Sequence, residues 1–146
     1  MGQARMVKVL LVEDNYGDAR LLMDLLEEIG GPASMTLVTN GDDAIALLKG
    51  QGRYAGAARP DIVLLDINLP RKNGFEVVQA IKSDRSIQHI PVIVITSSDS
   101  PSDMERMYRL CVNSYLLKPP DLKGWELLVR AISSYWLELA RLPPAV

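Results

Sequence analysis

Cysteine, histidine and phenylalanine each occur once in the 146 residues, as Cys111, His89 and Phe75. A lone cysteine excludes an internal disulfide framework and points to a reducing compartment. No apolar run approaches the roughly 18 to 20 residues that cross a bilayer. Residues 1–10 hold no apolar core of signal-peptide length. Neither sign of charge dominates: 16 Lys and Arg stand against 18 Asp and Glu, for a net charge of −2. Without a basic block the chain is a poor candidate for binding nucleic acid. The 48% hydrophobic content excludes disorder. A chain of this length buries most of its apolar surface as one domain without covalent staples. The expectation is one cytoplasmic domain over residues 1–146, with neither a membrane nor a nucleic acid as partner.

Two kinds of segment alternate along the chain. Short apolar runs at residues 7–12, 35–39, 62–65 and 92–95 are nearly continuous in Val, Ile and Leu, as in strands covered on both faces. A fifth run, residues 115–117, is less distinct in composition. Between them lie stripes with helical spacing. Leu21, Leu22, Leu25, Leu26 and Ile29 form one, stopped by Gly30 and Gly31. Ala44, Ile45, Leu47 and Leu48 form the second; Phe75, Val77, Val78 and Ile81 form the third. Ser100 and Pro101 read as an N-cap and first helical residue, ahead of Met104, Met107, Tyr108 and Cys111. The last and longest stripe runs from Trp125 to Leu139. It is broader than one sheet-facing side requires, which leaves Tyr135 and Trp136 for a partner subunit. Five strands alternating with five helices predict an α/β fold with a parallel sheet in the order 2-1-3-4-5, doubly wound.

Function in such folds sits at the carboxyl ends of the strands. Glu13 and Asp14 follow strand 1, Asp66 and Asn68 follow strand 3, Thr96 ends strand 4, and Lys118 and Pro119 follow strand 5. Two like charges about 4 Å apart repel by roughly 4 kcal/mol at an effective dielectric near 20. Three carboxylates there need cations. Lys118 is one, and all-oxygen donors suit Mg²⁺ or Mn²⁺ as another. A carboxylate in that setting can attack phosphorus and form an acyl phosphate, and Asp66 on the central strand is best placed.

The sequence at this point resembles the receiver domain of two-component response regulators. The resemblance rests on Val9-Leu10-Leu11-Val12-Glu13-Asp14-Asn15, on Pro60-Asp61-Ile62-Val63-Leu64-Leu65-Asp66, on Leu69-Pro70 with Gly74, on Pro91-Val92-Ile93-Val94-Ile95-Thr96, and on Tyr115-Leu116-Leu117-Lys118-Pro119. It implies that Asp66 is the phosphoacceptor. Glu13, Asp14, Asp66 and the carbonyl of Asn68 would hold Mg²⁺. Thr96 and Lys118 would contact the phosphoryl group, and Thr96 with Tyr115 would form the switch. The Lys118–Pro119 peptide would be cis. A sensor histidine kinase would be the donor. The surface of helix 4, strand 5 and helix 5 would change on phosphorylation and could join two copies. A narrower resemblance, carried by Val112-Asn113-Ser114-Tyr115-Leu116 and Ser134-Tyr135-Trp136-Leu137-Glu138 with Leu142-Pro143, is to small stand-alone regulators that partner phytochrome-type histidine kinases. Such a regulator has no output domain and catalyses only its own phosphorylation and dephosphorylation.

Several residues also have plainer readings. Glu13 could act only through a water, and Asn15 with Asp18 reads as a capping pair for helix 1. Gly74 reads as a turn residue, Cys111 as a small core residue, and His89 as an exposed loop residue. Residues 50–59, from Gly50 to Arg59, lengthen the connection to strand 3. Arg71 and Lys72 put two cations where many receivers carry an acid. Other classes fit the sequence less well. A phosphohydrolase with an aspartate nucleophile needs a second acid where Asn68 stands. A flavodoxin-like cofactor binder needs a Gly-, Ser- and Thr-rich loop where Glu13 and Asp14 stand. An adaptor that signals by binding alone would not need the acceptor set.

Overall fold

A computed structural model describes residues 6–144. Its strands are β1 (Val7–Val12), β2 (Ala33–Val38), β3 (Ile62–Leu65), β4 (Val92–Thr96) and β5 (Ser114–Leu117). They alternate with α1 (Tyr16–Ile29), α2 (Gly41–Lys49), α3 (Gly74–Lys82), α4 (Pro101–Arg109) and α5 (Leu122–Ala131). The strands pair in parallel in the order β2-β1-β3-β4-β5, the expected α/β arrangement. A 3₁₀ turn at Gly52–Tyr54 occupies part of the long connection to β3.

The continuous apolar runs have two faces because side chains alternate along a strand. Leu10, Val12, Val63, Leu65, Val92 and Val94 enter one core layer, with Leu48 of α2, Val78 of α3 and Met107 of α4. Their neighbours Val9, Leu11, Ile62, Leu64, Ile93 and Ile95 enter the other, with Leu22 and Leu26 of α1 and Val129 of α5. Each such buried aliphatic side chain contributes roughly 1.5 to 3 kcal/mol. The strands cannot slip by one residue without exchanging the two layers. Register therefore fixes which residues emerge at the carboxyl edge. Among the described residues no helix is long and apolar enough to cross a membrane.

Local signals fix the helix ends. Asn15 caps α1 by accepting from the Asp18 backbone N–H at 3.0 Å, as the capping reading requires. Ser100 caps α4 with Pro101 in its first turn. Asn73 and Glu76 form a capping box at α3. The last helix departs from a simple stripe. After Ala131 the chain winds as a π-helical segment, Ile132–Leu139. Ile132 and Leu137, five residues apart, are buried there, while Tyr135 and Leu139 are exposed. The wider winding changes the phase of the stripe.

Three plainer readings are corrected. Cys111 is exposed, not a core residue. It follows α4 with φ 68°, and this left-handed turn directs the chain back so that Val112 takes the buried place. Gly74 is not chosen for a positive φ. A Cβ there would lie 2.6 Å from the Asp66 carbonyl oxygen and 2.7 Å from Ile67 Cα, so α3 starts against the backbone that carries Asp66. His89 is half-buried, and not the exposed loop residue expected, because it lies between the buried Ile87 and Ile90. Gly74→Ala is expected to destabilise the protein by about 1 to 3 kcal/mol, as overpacking does; a urea denaturation midpoint at or above that of the wild type would contradict this reading.

Candidate functional site

Register brings the functional side chains to one edge. Val12 of β1 pairs with Leu65 of β3, so Glu13 and Asp66 leave the sheet side by side. The Asp66 N–H donates to the Val12 carbonyl at 3.0 Å and the Glu13 N–H to the Val38 carbonyl at 3.0 Å. Thr96 pairs with Leu117 at the far side, and the Lys118 N–H donates to the Thr96 carbonyl at 2.8 Å.

Lys118 Nζ lies 2.8 Å from Asp66 Oδ2, 2.8 Å from Glu13 Oε2 and 2.8 Å from Asp18 Oδ2. The ammonium and the Glu13 and Asp66 carboxylates are largely withdrawn from water. Asp66 Oδ1 also accepts the Ile67 N–H at 2.6 Å. Burial alone would lower the pKa of Lys118, but hydrogen bonds to Asp18, Asp66 and Glu13 outweigh it and hold the ammonium above its ordinary range. Glu13 fares differently. Burial pushes its carboxyl up, hydrogen bonds from Lys118 and the Asn15 N–H pull it down, and the charge of Asp66 pushes it up again, so that it ends at about 7. One ammonium shared by three acids leaves the most buried of them short of positive charge.

Around this cluster stand the other expected residues. Asp14 is exposed, and its carboxylate makes no hydrogen bond or ion pair among the described residues. Asn68 is exposed, and its carbonyl accepts no hydrogen bond among the described residues. Among the described residues no three acids, histidines or cysteines stand together as a ready metal cage. The donors are nonetheless of the right kind for a hard divalent cation. They are all oxygen, two are unengaged, and the buried acid lacks compensating charge. Thr96 is fully buried, and its Oγ1 accepts the Ser98 N–H at 3.3 Å. Tyr115 is half-buried; its hydroxyl donates to the Ser98 carbonyl at 2.8 Å, and its N–H donates to the Tyr108 hydroxyl at 3.2 Å. Lys72 reaches Asp42 of α2 at 4.0 Å, and Arg71 takes a left-handed conformation with φ 69°.

One expectation fails. No cis peptide occurs among the described residues, so Lys118–Pro119 is trans. The tertiary amide itself favours trans by about 0.5 to 1 kcal/mol, and from a trans peptide Lys118 already meets all three acids. One residue escaped sequence reasoning. Asp18 was assigned only to the cap, yet its side chain is a full member of the cluster. The available signal was its place in the first turn of α1, four residues beyond Asp14 and above the same sheet edge.

A five-stranded sheet with an acid cluster, a buried threonine and a lysine at its carboxyl edge defines a class that the family comparison identifies. Residues 9–130 match the model of the response regulator receiver domain, and the chain belongs to that family. It is thus a response regulator, a signalling protein of two-component type. The response regulator Rcp1 of Synechocystis sp. is 40% identical over 137 residues, covering 94% of this chain and 93% of that protein. The crystal structure of the phosphorylated cyanobacterial phytochrome response regulator RcpA superposes with a TM-score of 0.90 at 41% identity, covering 94% of this chain and 99% of that one. The Mn²⁺-bound form of Rcp1 gives 0.91 at 39% identity over the same shares.

The raised Glu13 pKa has a defined stability consequence. Between its ordinary value of 4.5 and about 7 the unfolded chain ionises Glu13 while the folded chain resists, so this group's contribution falls as pH rises through that window. In chelator-treated protein, Glu13→Gln is expected to gain stability over wild type at pH 8 and to lose that advantage below pH 5. Thermal melts across pH 5 to 8 with parallel curves for the two proteins would contradict this.

Proposed function

We propose that Asp66 accepts a phosphoryl group from the phosphohistidine of a sensor histidine kinase, and that the phosphorylated chain carries the signal through its own surface. The observation that carries this reading is the convergence of Lys118 on Asp66 and Glu13 at 2.8 Å each, at the carboxyl edge of the central strands. A carboxylate oxygen of Asp66 attacks phosphorus; the new O–P bond forms as the P–N bond breaks, and the imidazole leaves with the bonding pair and takes up a proton from water. Glu13, Asp14, Asp66 and the Asn68 carbonyl would hold Mg²⁺, or Mn²⁺ as in Rcp1, which would supply the charge that the acids and the phosphoryl oxygens lack. Lys118 donates to a phosphoryl oxygen and holds it in line. Asn68 has no proton to exchange as a general acid, which favours a signalling role over turnover of phosphate esters.

Thr96 and Tyr115 form the switch in this reading. The Thr96 hydroxyl turns from the Ser98 N–H to a phosphoryl oxygen, and the loop that also holds Tyr115 through the Ser98 carbonyl moves with it. A shift from 1:99 to 99:1 needs about 5.5 kcal/mol of differential interaction. A hydrogen bond to a charged group supplies roughly 1.5 to 3 kcal/mol, so Thr96 and Lys118 act together with the cation. The surface that changes is that of α4, β5 and α5, where Tyr108, Leu117, Leu122 and Leu127 are exposed. A second copy of the chain fits that face. The kinase is of phytochrome type, in keeping with the phytochrome response regulator RcpA. In this reading the chain catalyses its own phosphorylation and dephosphorylation.

Incubation with acetyl phosphate and Mg²⁺ is expected to add one phosphoryl group by intact mass. The adduct should vanish with a chelator and in Asp66→Asn. An adduct that persists in Asp66→Asn would overturn the assignment. Sedimentation with and without acetyl phosphate tests the second-copy partner, which predicts a larger species only with the phosphodonor.

A further inference from the structure

Asp18 engages Lys118 as closely as Asp66 does, at 2.8 Å. An ammonium carries three N–H donors and no more. Glu13, Asp18 and Asp66 use all three. A phosphoryl group on Asp66 brings further acceptor oxygens and more negative charge to the same ammonium. Phosphorylation turns the Asp66 carboxylate into the uncharged carbonyl of an acyl phosphate and frees one N–H; any further N–H offered to the phosphoryl oxygens must come from Glu13 or Asp18. These two are not equally replaceable. Glu13 is 5% exposed in its side chain and also accepts the Asn15 N–H at 3.0 Å. Asp18 is 29% exposed, and its carboxylate has no other partner among the described residues. Returning Asp18 to water therefore costs least.

We propose that Asp18 is a positioning residue that holds Lys118 in the unphosphorylated protein and competes with the phosphoryl group for its third N–H. This rests on the phosphoacceptor reading of Asp66. The consequence is a restraint on activation: Asp18 keeps the lysine turned towards α1 until a phosphoryl group displaces it. Asp18→Asn leaves the backbone N–H that Asn15 caps and removes the charge that holds the ammonium.

The test uses beryllofluoride as the phosphoryl mimic, titrated into the full chain at saturating Mg²⁺ and followed by tyrosine and tryptophan fluorescence. Asp18→Asn should bind it about threefold to fivefold more tightly than wild type, the range for a partly exposed ion pair. Asp24→Asn makes the same charge change on the same helix, at a residue paired with Arg20 at 3.4 Å, and should bind as wild type does. A ¹⁹F spectrum of the bound mimic should shift in Asp18→Asn and not in Asp24→Asn, because the altered contact is that of Lys118 with one fluorine. Equal or weaker binding by Asp18→Asn, or equal tightening in both variants, would overturn the competition. Failure of the wild type to bind beryllofluoride would instead overturn the phosphoacceptor reading, and the competition with it.

Discussion

One ammonium, Lys118 Nζ, stands among three carboxylates at the carboxyl edge of a parallel sheet. Acids drawn from β1, α1 and β3 would repel one another without it, and each is placed there by strand register or by a helix cap. The imbalance of three acids to one cation leaves an unmet negative charge inside a part-buried site. Glu13 registers that deficit by holding its proton towards neutral pH. A site poised in this way favours whatever adds positive charge, and a phosphoryl group arriving with a divalent cation changes the charge account at once.

The backbone beneath the site is held as firmly as the side chains. Gly74 lets α3 begin against the Asp66 carbonyl, and Gly41 lets α2 approach the Lys72 carbonyl so closely that a Cβ there would lie 1.9 Å from the oxygen. The Gly41 N–H also donates to the Pro70 carbonyl at 3.3 Å. The loop that carries Asn68 is thus pinned at both flanks. The left-handed Arg71 lies between these two approaches, where the chain must turn within a short span. On the β4 side the loop after β4 is joined to Tyr115 by a hydrogen bond from the Tyr115 hydroxyl to the Ser98 carbonyl, and Ser98 is also bonded to Thr96 and Asp103.

Much of this was legible in the amino-acid order. Strand order, helix count and the residues at the strand ends follow from apolar runs alternating with helical stripes, since a two-faced parallel sheet leaves few topologies. Asp66, Glu13, Thr96 and Lys118 could be placed on one edge because a residue just past a strand has little freedom of location. What was not legible depended on side-chain reach and winding. Asp18 looked like a capping partner because its backbone is one, and sequence does not tell where its carboxylate turns. Gly74 looked like a turn glycine because close approach of another backbone leaves no mark in local sequence. The π winding after Ala131 shifts the phase of an apolar stripe that in sequence is compatible with α winding. Cys111 was misplaced because its left-handed conformation is a property of the helix end and not of cysteine.

The long connection from α2 to β3 stands in contrast to the pinned loop after Asp66. Apart from Tyr54, which packs on the core, residues 51–58 are exposed, and the segment leads into the amino end of β3, across the sheet from the acid cluster. Ala55 to Ala58 is therefore where the fold has slack in its covalent thread. A peptide tag or fluorescent reporter spliced there would be carried by the sheet without leaning on Asp66, whereas the same insertion after Asn68 would have to prise apart two helices from the backbone they rest upon.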